Sequence, residues 1–210
     1  RVLSRIQKNR RTRHFLFVKT GSSHAPYVCP QNYSNAEKDA IAYVDTALYE
    51  FCEGLRRAEY FKNGMLIIVG DHHAMVPITQ EEIDVFGAYH AAARVPMVVV
   101  GHGTLPTVVY EQYQQRDIYN SIRNLTAEKM RYSPWIGDVF ARKSPQYIMY
   151  RRGDYRNIIS VFLQDDAVSV RLDGDDTCIV EDKAIDSKKE ELIINRINAI
   201  RTEGKQRGLS

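Results

Sequence analysis

Asp71, His72 and His73 place a carboxylate directly before two imidazoles, oxygen and nitrogen donors of the kind a divalent transition metal takes. A helix-capping acid beside two surface histidines is the other reading of the same residues. The residue types alone leave both readings open, and their position bears on the choice. Met65-Leu-Ile-Ile-Val69 runs into Gly70 immediately before them, and a continuous apolar run of this length reads as a strand buried on both faces of a parallel sheet. The polar residues then leave the carboxyl end of that strand. In open α/β sheets this edge is where loops converge and ligands bind. His14-Phe-Leu-Phe-Val18 is a second buried-strand candidate, and Gly21, Ser22, Ser23 and Pro26 make the next segment a loop. That loop brings His24 to the same edge, although a lone loop histidine is often inert. His90, in Gly87-Ala-Tyr-His90, precedes the strand Val95-Pro-Met-Val-Val-Val100 and enters from the opposite edge unless its loop folds over. A merely packed or exposed histidine is the alternative there. Arg94 is expected to pair with a carboxylate.

The elements that must position these residues begin with residues 32–58, a connector and a long helix with Ser34 or Asn35 as cap. Ala40, Ile41, Val44, Leu48, Cys52 and Leu55 recur at helical spacing and form its inward stripe. Strand, helix and strand in that order predict a right-handed βαβ crossover, with Lys62-Asn63-Gly64 as the turn back into the sheet. Residues 74–93 form an irregular insertion, helical near Ile83 with Thr79 as cap, in the place where an active-site loop is expected. Gly101 to Pro106 is a turn whose glycines do not have phosphate-loop spacing. Asp117 to Leu125 predicts an amphipathic helix with Ile118, Ile122 and Leu125 inward.

From Tyr147 the pattern changes to short alternating strands over 147–151, 158–163, 168–172 and 178–180. Gly153-Asp154, Asp165-Asp166 and Gly174-Asp175 separate them, as in an antiparallel meander. A closing helix over 185–200 presents Ile185, Leu192, Ile193, Ile197 and Ile200 on one face. The expected class is therefore α/β: a partial α/β/α sandwich with a mostly parallel sheet, plus a small C-terminal antiparallel meander and its helix. The expected division is a basic connector over 1–13, a main catalytic portion over 14–145 and the meander subdomain over 146–210.

A net charge of +3 over 210 residues gives no reason to expect nucleic acid as a partner. Cys29, Cys52 and Cys178 lie far apart, which argues against a thiolate metal site or a dense disulfide framework and leaves room for one bridge. No run approaches the ~20 apolar residues of a membrane span. The basic stretch Arg1 to Arg13 is a solvated connector or, on a sharper reading, a face for anionic lipid. A start at Arg1 rather than methionine suggests a piece of something longer.

The order of these features resembles a known family. Ser23-His-Ala-Pro-Tyr27, Tyr43-Val-Asp-Thr-Ala-Leu48, Tyr60-Phe-Lys-Asn63 leading into Ile67-Ile-Val-Gly-Asp-His72, and Arg94-Val-Pro-Met97 look like the carboxyl-terminal half of a sulfatase-type catalytic domain. Gln115-Arg-Asp-Ile118 echoes a weaker downstream motif. Within the alkaline phosphatase superfamily the chain most resembles lipoteichoic-acid-synthase-like phosphoglycerol transferases and phosphoethanolamine transferases. The resemblance implies Asp71 and His72 as metal ligands, zinc or manganese as the metal, and His24 as a group that binds phosphoryl or leaving group. His73 stands where the family has glycine and is a further candidate ligand. His90 falls near a substrate-contacting histidine of the phosphoethanolamine transferases. The threonine nucleophile and an upstream acidic ligand would lie before Arg1, so this chain is expected to lack them and to be inactive alone. The implied setting is the extracytoplasmic side of a bacterial inner membrane, reached through upstream segments. A phospholipid head group, an envelope glycan or lipid acceptor and the missing N-terminal half are the implied partners. A sulfatase or phosphodiesterase of the same fold, or a non-catalytic member binding lipid or protein, are the alternatives.

Overall fold

Capping residues and apolar runs divide the chain into elements over the residues that the structure, a computed structural model, describes. These are residues 2–8, 12–30, 36–73, 76–101, 106–126, 132–151, 157–163, 167–174, 176–180 and 185–207, without the Tyr89 side chain. The elements are α1 (Val2–Lys8), α2 (Glu37–Arg57), β1 (Met65–Val69), α3 (Gln80–Phe86), α4 (Ala88–Ala93), β2 (Met97–Gly101) and α5 (Gln115–Thr126). β3 (Ile148–Arg151), β4 (Ile158–Phe162), β5 (Ala167–Asp173), β6 (Asp176–Ile179) and α6 (Ser187–Gln206) complete the order. The class is α/β, as expected. By contacts the chain divides into two units, residues 1–71 with 96–106, and residues 72–95 with 107–210.

In the first unit α2 follows its apolar periodicity. Ala40 and Leu55 are buried and Val44, Leu48 and Cys52 half-buried, but Ile41 is 54% exposed and does not belong to the inward stripe. Its N-cap is Ala36, without a side-chain cap bond, while Ser34 and Asn35 lie outside the described residues. Glu37 and Asp39 in the first turn and Arg56 and Arg57 in the last complement the helix dipole instead. Leu3 of α1 lies over Gly54 so closely that a Cβ there would sit 2.5 Å from Leu3 Cδ1.

β1 does not sit in a parallel sheet. It pairs antiparallel with β2, from Met65 opposite Gly101 to Val69 opposite Met97. The Gly70 N–H donates to Pro96 O at 3.1 Å and continues the pairing by one bond. His14 to Val18 forms no strand, and Phe15 and Phe17 are 72% and 82% exposed. The βαβ crossover and the mostly parallel sheet are therefore not what the described residues form; both sheets are antiparallel. An apolar run states that a strand needs covering, not which neighbour covers it. Residues 70–96, with α3 and α4, are long enough for a parallel crossover, yet the register sets β2 alongside β1 in the opposite sense.

In the second unit the antiparallel meander forms as expected, in the order β3-β4-β5-β6. The turn residues 153, 154, 165, 166 and 175 lie outside the described residues, as do 102–105. Trp135, Tyr147, Val161, Val168 and Val170 build its core with Ile193 and Ile197 of α6. Leu192 and Ile200, expected inward, are 40% and 38% exposed. Asp186 caps α6 by accepting from the Lys188 and Lys189 N–H groups at 3.1 and 3.2 Å. Arg201 then fastens the helix to the β5–β6 hairpin, donating to Asp176 O at 3.0 Å and Thr177 Oγ1 at 2.7 Å.

α5 is buried by a face the periodicity did not indicate. Asp117, Asn120, Ser121 and Asn124 point inward, and Leu125 is 61% exposed. Asp117 accepts from Gly137 N at 2.9 Å and Gln114 N at 2.8 Å, and Asn120 Nδ2 donates to Gly137 O at 2.8 Å. Asn124 Nδ2 donates to Asp138 Oδ2 at 2.8 Å, and Ser121 Oγ accepts from Val139 N at 2.8 Å. A buried polar face is stable when it is paired in this way. The three cysteines are free thiols.

Candidate functional site

Asp71 stands directly after the last bond of the β1–β2 pairing, at the carboxyl end of β1, and is exposed. His72 is also exposed, and its Nδ1 lies 2.6 Å from His73 O. A carbonyl oxygen can only accept, so Nδ1 carries the proton and Nε2 the lone pair. His24 shows the same local arrangement, with Nδ1 2.5 Å from Ala25 O. A histidine whose outer N–H is held by a carbonyl is set up to ligate or accept through the other nitrogen.

His73 is differently placed. Its Nε2 lies 3.2 Å from Glu82 Oε1. Glu82 Oε2 in turn accepts from Thr79 N at 2.8 Å and Thr79 Oγ1 at 2.9 Å, and Glu82 N donates back to Thr79 Oγ1 at 3.2 Å. The helix signal at Thr79 is thus a full capping box at the start of α3. The Thr79 N–H, then His73, then the Thr79 hydroxyl hold the Glu82 carboxyl below the usual carboxylate range. Gly87, at φ 75°, ends α3 and starts α4 in a conformation that favours glycine.

His90 lies on α4, half-buried, with its ring 4.5 Å from that of Phe162 on β4. Burial, and then the charge of Arg94, lower its pKa from the ordinary histidine value. The structure therefore gives His90 a packing contact with the meander. Arg94 lies over the Phe86 ring, 4.0 Å from its centroid, a cation–π contact in place of the carboxylate pair expected for it.

Whether these residues suit a divalent metal turns on their donors. Asp71 supplies a carboxylate oxygen and His72 an Nε2 lone pair fixed by its Nδ1 bond, which fits zinc or manganese in kind. Among the described residues no group of three or more His, Cys, Asp or Glu side chains is gathered to hold an ion. The residues that sequence reasoning missed are Thr79 and Glu82 as a unit with His73. The capping-box spacing is visible in the sequence, but no local signal ties the histidine to it.

The sequence matches the family model described as Sulfatase over residues 1–128. The chain belongs to the sulfatase family. Among solved structures, a protein in the alkaline phosphatase superfamily from Vibrio parahaemolyticus resembles this sulfatase-family chain with a TM-score of 0.60 at 17% identity. That likeness covers 90% of this chain and 48% of the other, so the chain spans about half the length of its structural relative. At that identity the likeness concerns the fold. No curated protein matches the chain.

Proposed function

We propose that this sulfatase-family chain is the metal-ligand half of a phosphoryl-group transferase, one that moves phosphoglycerol or phosphoethanolamine from a phospholipid to an acceptor in the bacterial envelope. The observation that carries the reading is His72, held as the Nδ1–H tautomer directly after Asp71 at the end of β1. The resemblance of the Ser23-to-Tyr27, Tyr60-to-His72 and Arg94-to-Met97 motifs to phosphoglycerol and phosphoethanolamine transferases is what supports lipid-derived phosphoryl groups over sulfate esters.

On this reading Asp71 and His72 hold zinc or manganese together with ligands from outside residues 1–210. When bound, the metal supplies positive charge against the phosphoryl oxygens and lowers the pKa of the attacking hydroxyl. His24 keeps its Nδ1 proton on Ala25 O, so that Nε2, once protonated, donates to a phosphoryl or leaving-group oxygen. The reaction is a two-step displacement. A hydroxyl contributed outside these residues attacks phosphorus, the diacylglycerol oxygen departs with a proton, and an acceptor hydroxyl then displaces the enzyme oxygen. Membrane attachment on the extracytoplasmic side comes, on this reading, from outside residues 1–210. Among the described residues no helix is long and apolar enough to cross a membrane. Hydrolysis of a sulfate ester or phosphodiester is the second reading, favoured by the family match itself.

The test is incubation of the protein, extended to include the N-terminal half of its catalytic domain, with Mn²⁺ or Zn²⁺ and vesicles containing phosphatidylglycerol and phosphatidylethanolamine. Diacylglycerol release lost in Asp71→Ala and His72→Ala is the expected result. Release of sulfate from aryl sulfates, with the lipids untouched, would favour the second reading. Residues 1–210 alone should release nothing above background.

A further inference from the structure

Glu82 sits nine residues beyond His73, on the first turn of α3, and reaches back to its ring. One carboxylate oxygen meets His73 Nε2, and the other is held by the Thr79 N–H and hydroxyl. A side chain with both oxygens engaged is restricted to one rotamer, and it restricts its partner in turn. His73 is the residue whose carbonyl accepts the His72 Nδ1 proton. We propose that Glu82 is a positioning residue for His72: the capped start of α3 holds Glu82, Glu82 holds the His73 ring, and the His73 carbonyl selects Nε2 of His72 as the nitrogen offered to a metal. The inference rests on the reading of His72 as a ligand. It gives the Nε2–H of His73 a task of its own, the bond to Glu82, with the lone pair of that ring on Nδ1.

The alternative is that the His73–Glu82 bond only strengthens the α3 cap, and substitutions separate the two. Thr79→Ala removes the cap hydroxyl and leaves the His73–Glu82 bond. Glu82→Gln keeps a capping-box residue and still bonds His73, its amide N–H now donating to a ring that must carry its proton on Nδ1. Glu82→Ala removes both contacts. In metal-free protein with ¹⁵N-labelled histidine, at a fixed pH where the imidazoles are neutral, long-range ¹H–¹⁵N spectra report which ring nitrogen is protonated. His72 should show a single Nδ1–H tautomer in the wild type, Thr79→Ala and Glu82→Gln, and a mixture in Glu82→Ala. His73 should change from Nε2–H to Nδ1–H in Glu82→Gln. Calorimetric titration with Mn²⁺ of the protein extended to include the N-terminal half of its catalytic domain, which brings the remaining ligands, should show an affinity loss of about 10–100-fold for Glu82→Ala, as for other outer-shell partners, rescued by Glu82→Gln and only slight for Thr79→Ala. Equal losses for Glu82→Ala and Thr79→Ala, or an unchanged His72 tautomer in Glu82→Ala, would overturn the proposal. If the wild type takes up no Mn²⁺, the ligand reading fails and the tautomer spectra still decide the positioning role.

Discussion

A carboxylate can stay buried if hydrogen bonds replace the water it lost, and Asp117 and Asp138 show two outcomes of that balance. At Asp138 burial pushes the pKa up, but Asn124, the Ala141 and Phe140 N–H groups and Ser121 together hold it below the usual carboxylate range. At Asp117 burial prevails over the Gln114 and Gly137 N–H bonds and raises it. Gly137 is where this network has least room. A Cβ there would lie 2.7 Å from Pro145 Cδ and 2.8 Å from Lys143 O, which already accepts from Asp138 N. Gly137→Ala should therefore cost about 1–3 kcal/mol of overpacking. That outweighs the ~0.4–1 kcal/mol gained by restricting the unfolded chain. Urea unfolding measures the difference. His90 supplies a pH test. Its folded pKa lies below the ordinary value of about 6.5, so its contribution to stability is complete above that pH. It is lost as the pH falls through the folded pKa, because the unfolded chain takes up the proton first. His90→Phe keeps a ring against Phe162 and should flatten the pH dependence of the melting temperature below about pH 6.5. An unchanged slope would show that His90 does not contribute it.

Among the elements, α6 and α5 are held by different physics. α6 is an apolar cover on the meander, with Ile193 at 0% and Ile200 at 38% exposure. Ile193→Ala should cost about 2–5 kcal/mol, and Ile200→Ala much less, in chemical denaturation. Equal costs would mean that the helix docks by another face. α5 is instead fastened through Asp117, Asn120, Ser121 and Asn124 to the backbone of residues 137–139 and to Asp138. Asn124→Leu fills similar volume but leaves the Asp138 carboxylate short of a donor, and should destabilise by about 1–3 kcal/mol despite its greater hydrophobicity. α3 is smaller still and depends on its capping box, which links it to the candidate site through His73.

Over the chain as a whole, the two units differ in how much apolar surface they bury. The second holds the Trp135-to-Ile197 core, whereas in the first Phe15, Phe17, Val18 and Val28 are all exposed. Amide exchange should accordingly be slowest in β4, β5 and α6, and faster in α1 and in β1–β2. Mass-spectrometric exchange resolved to peptides checks this, and slowest exchange in β1–β2 would contradict it. The meander and its helix are legible in the sequence because local signals suffice there: strands alternate with period two, and antiparallel neighbours are joined by short turns. Asp71 and His72 are legible as a candidate pair because donor type and position after an apolar strand are both local properties. The pairing of β1 with β2, the polar inward face of α5 and the bond from Glu82 to His73 are not. Each depends on which distant backbone or side chain arrives to satisfy a hydrogen bond, and hydrophobic periodicity carries no information about that partner. The order of amino acids is enough to place a strand ending at Gly70 and to put a carboxylate and an imidazole after it. The tautomer of His72 and the support behind it come from folding, because a proton goes to the nitrogen that finds an acceptor, and the fold places that acceptor.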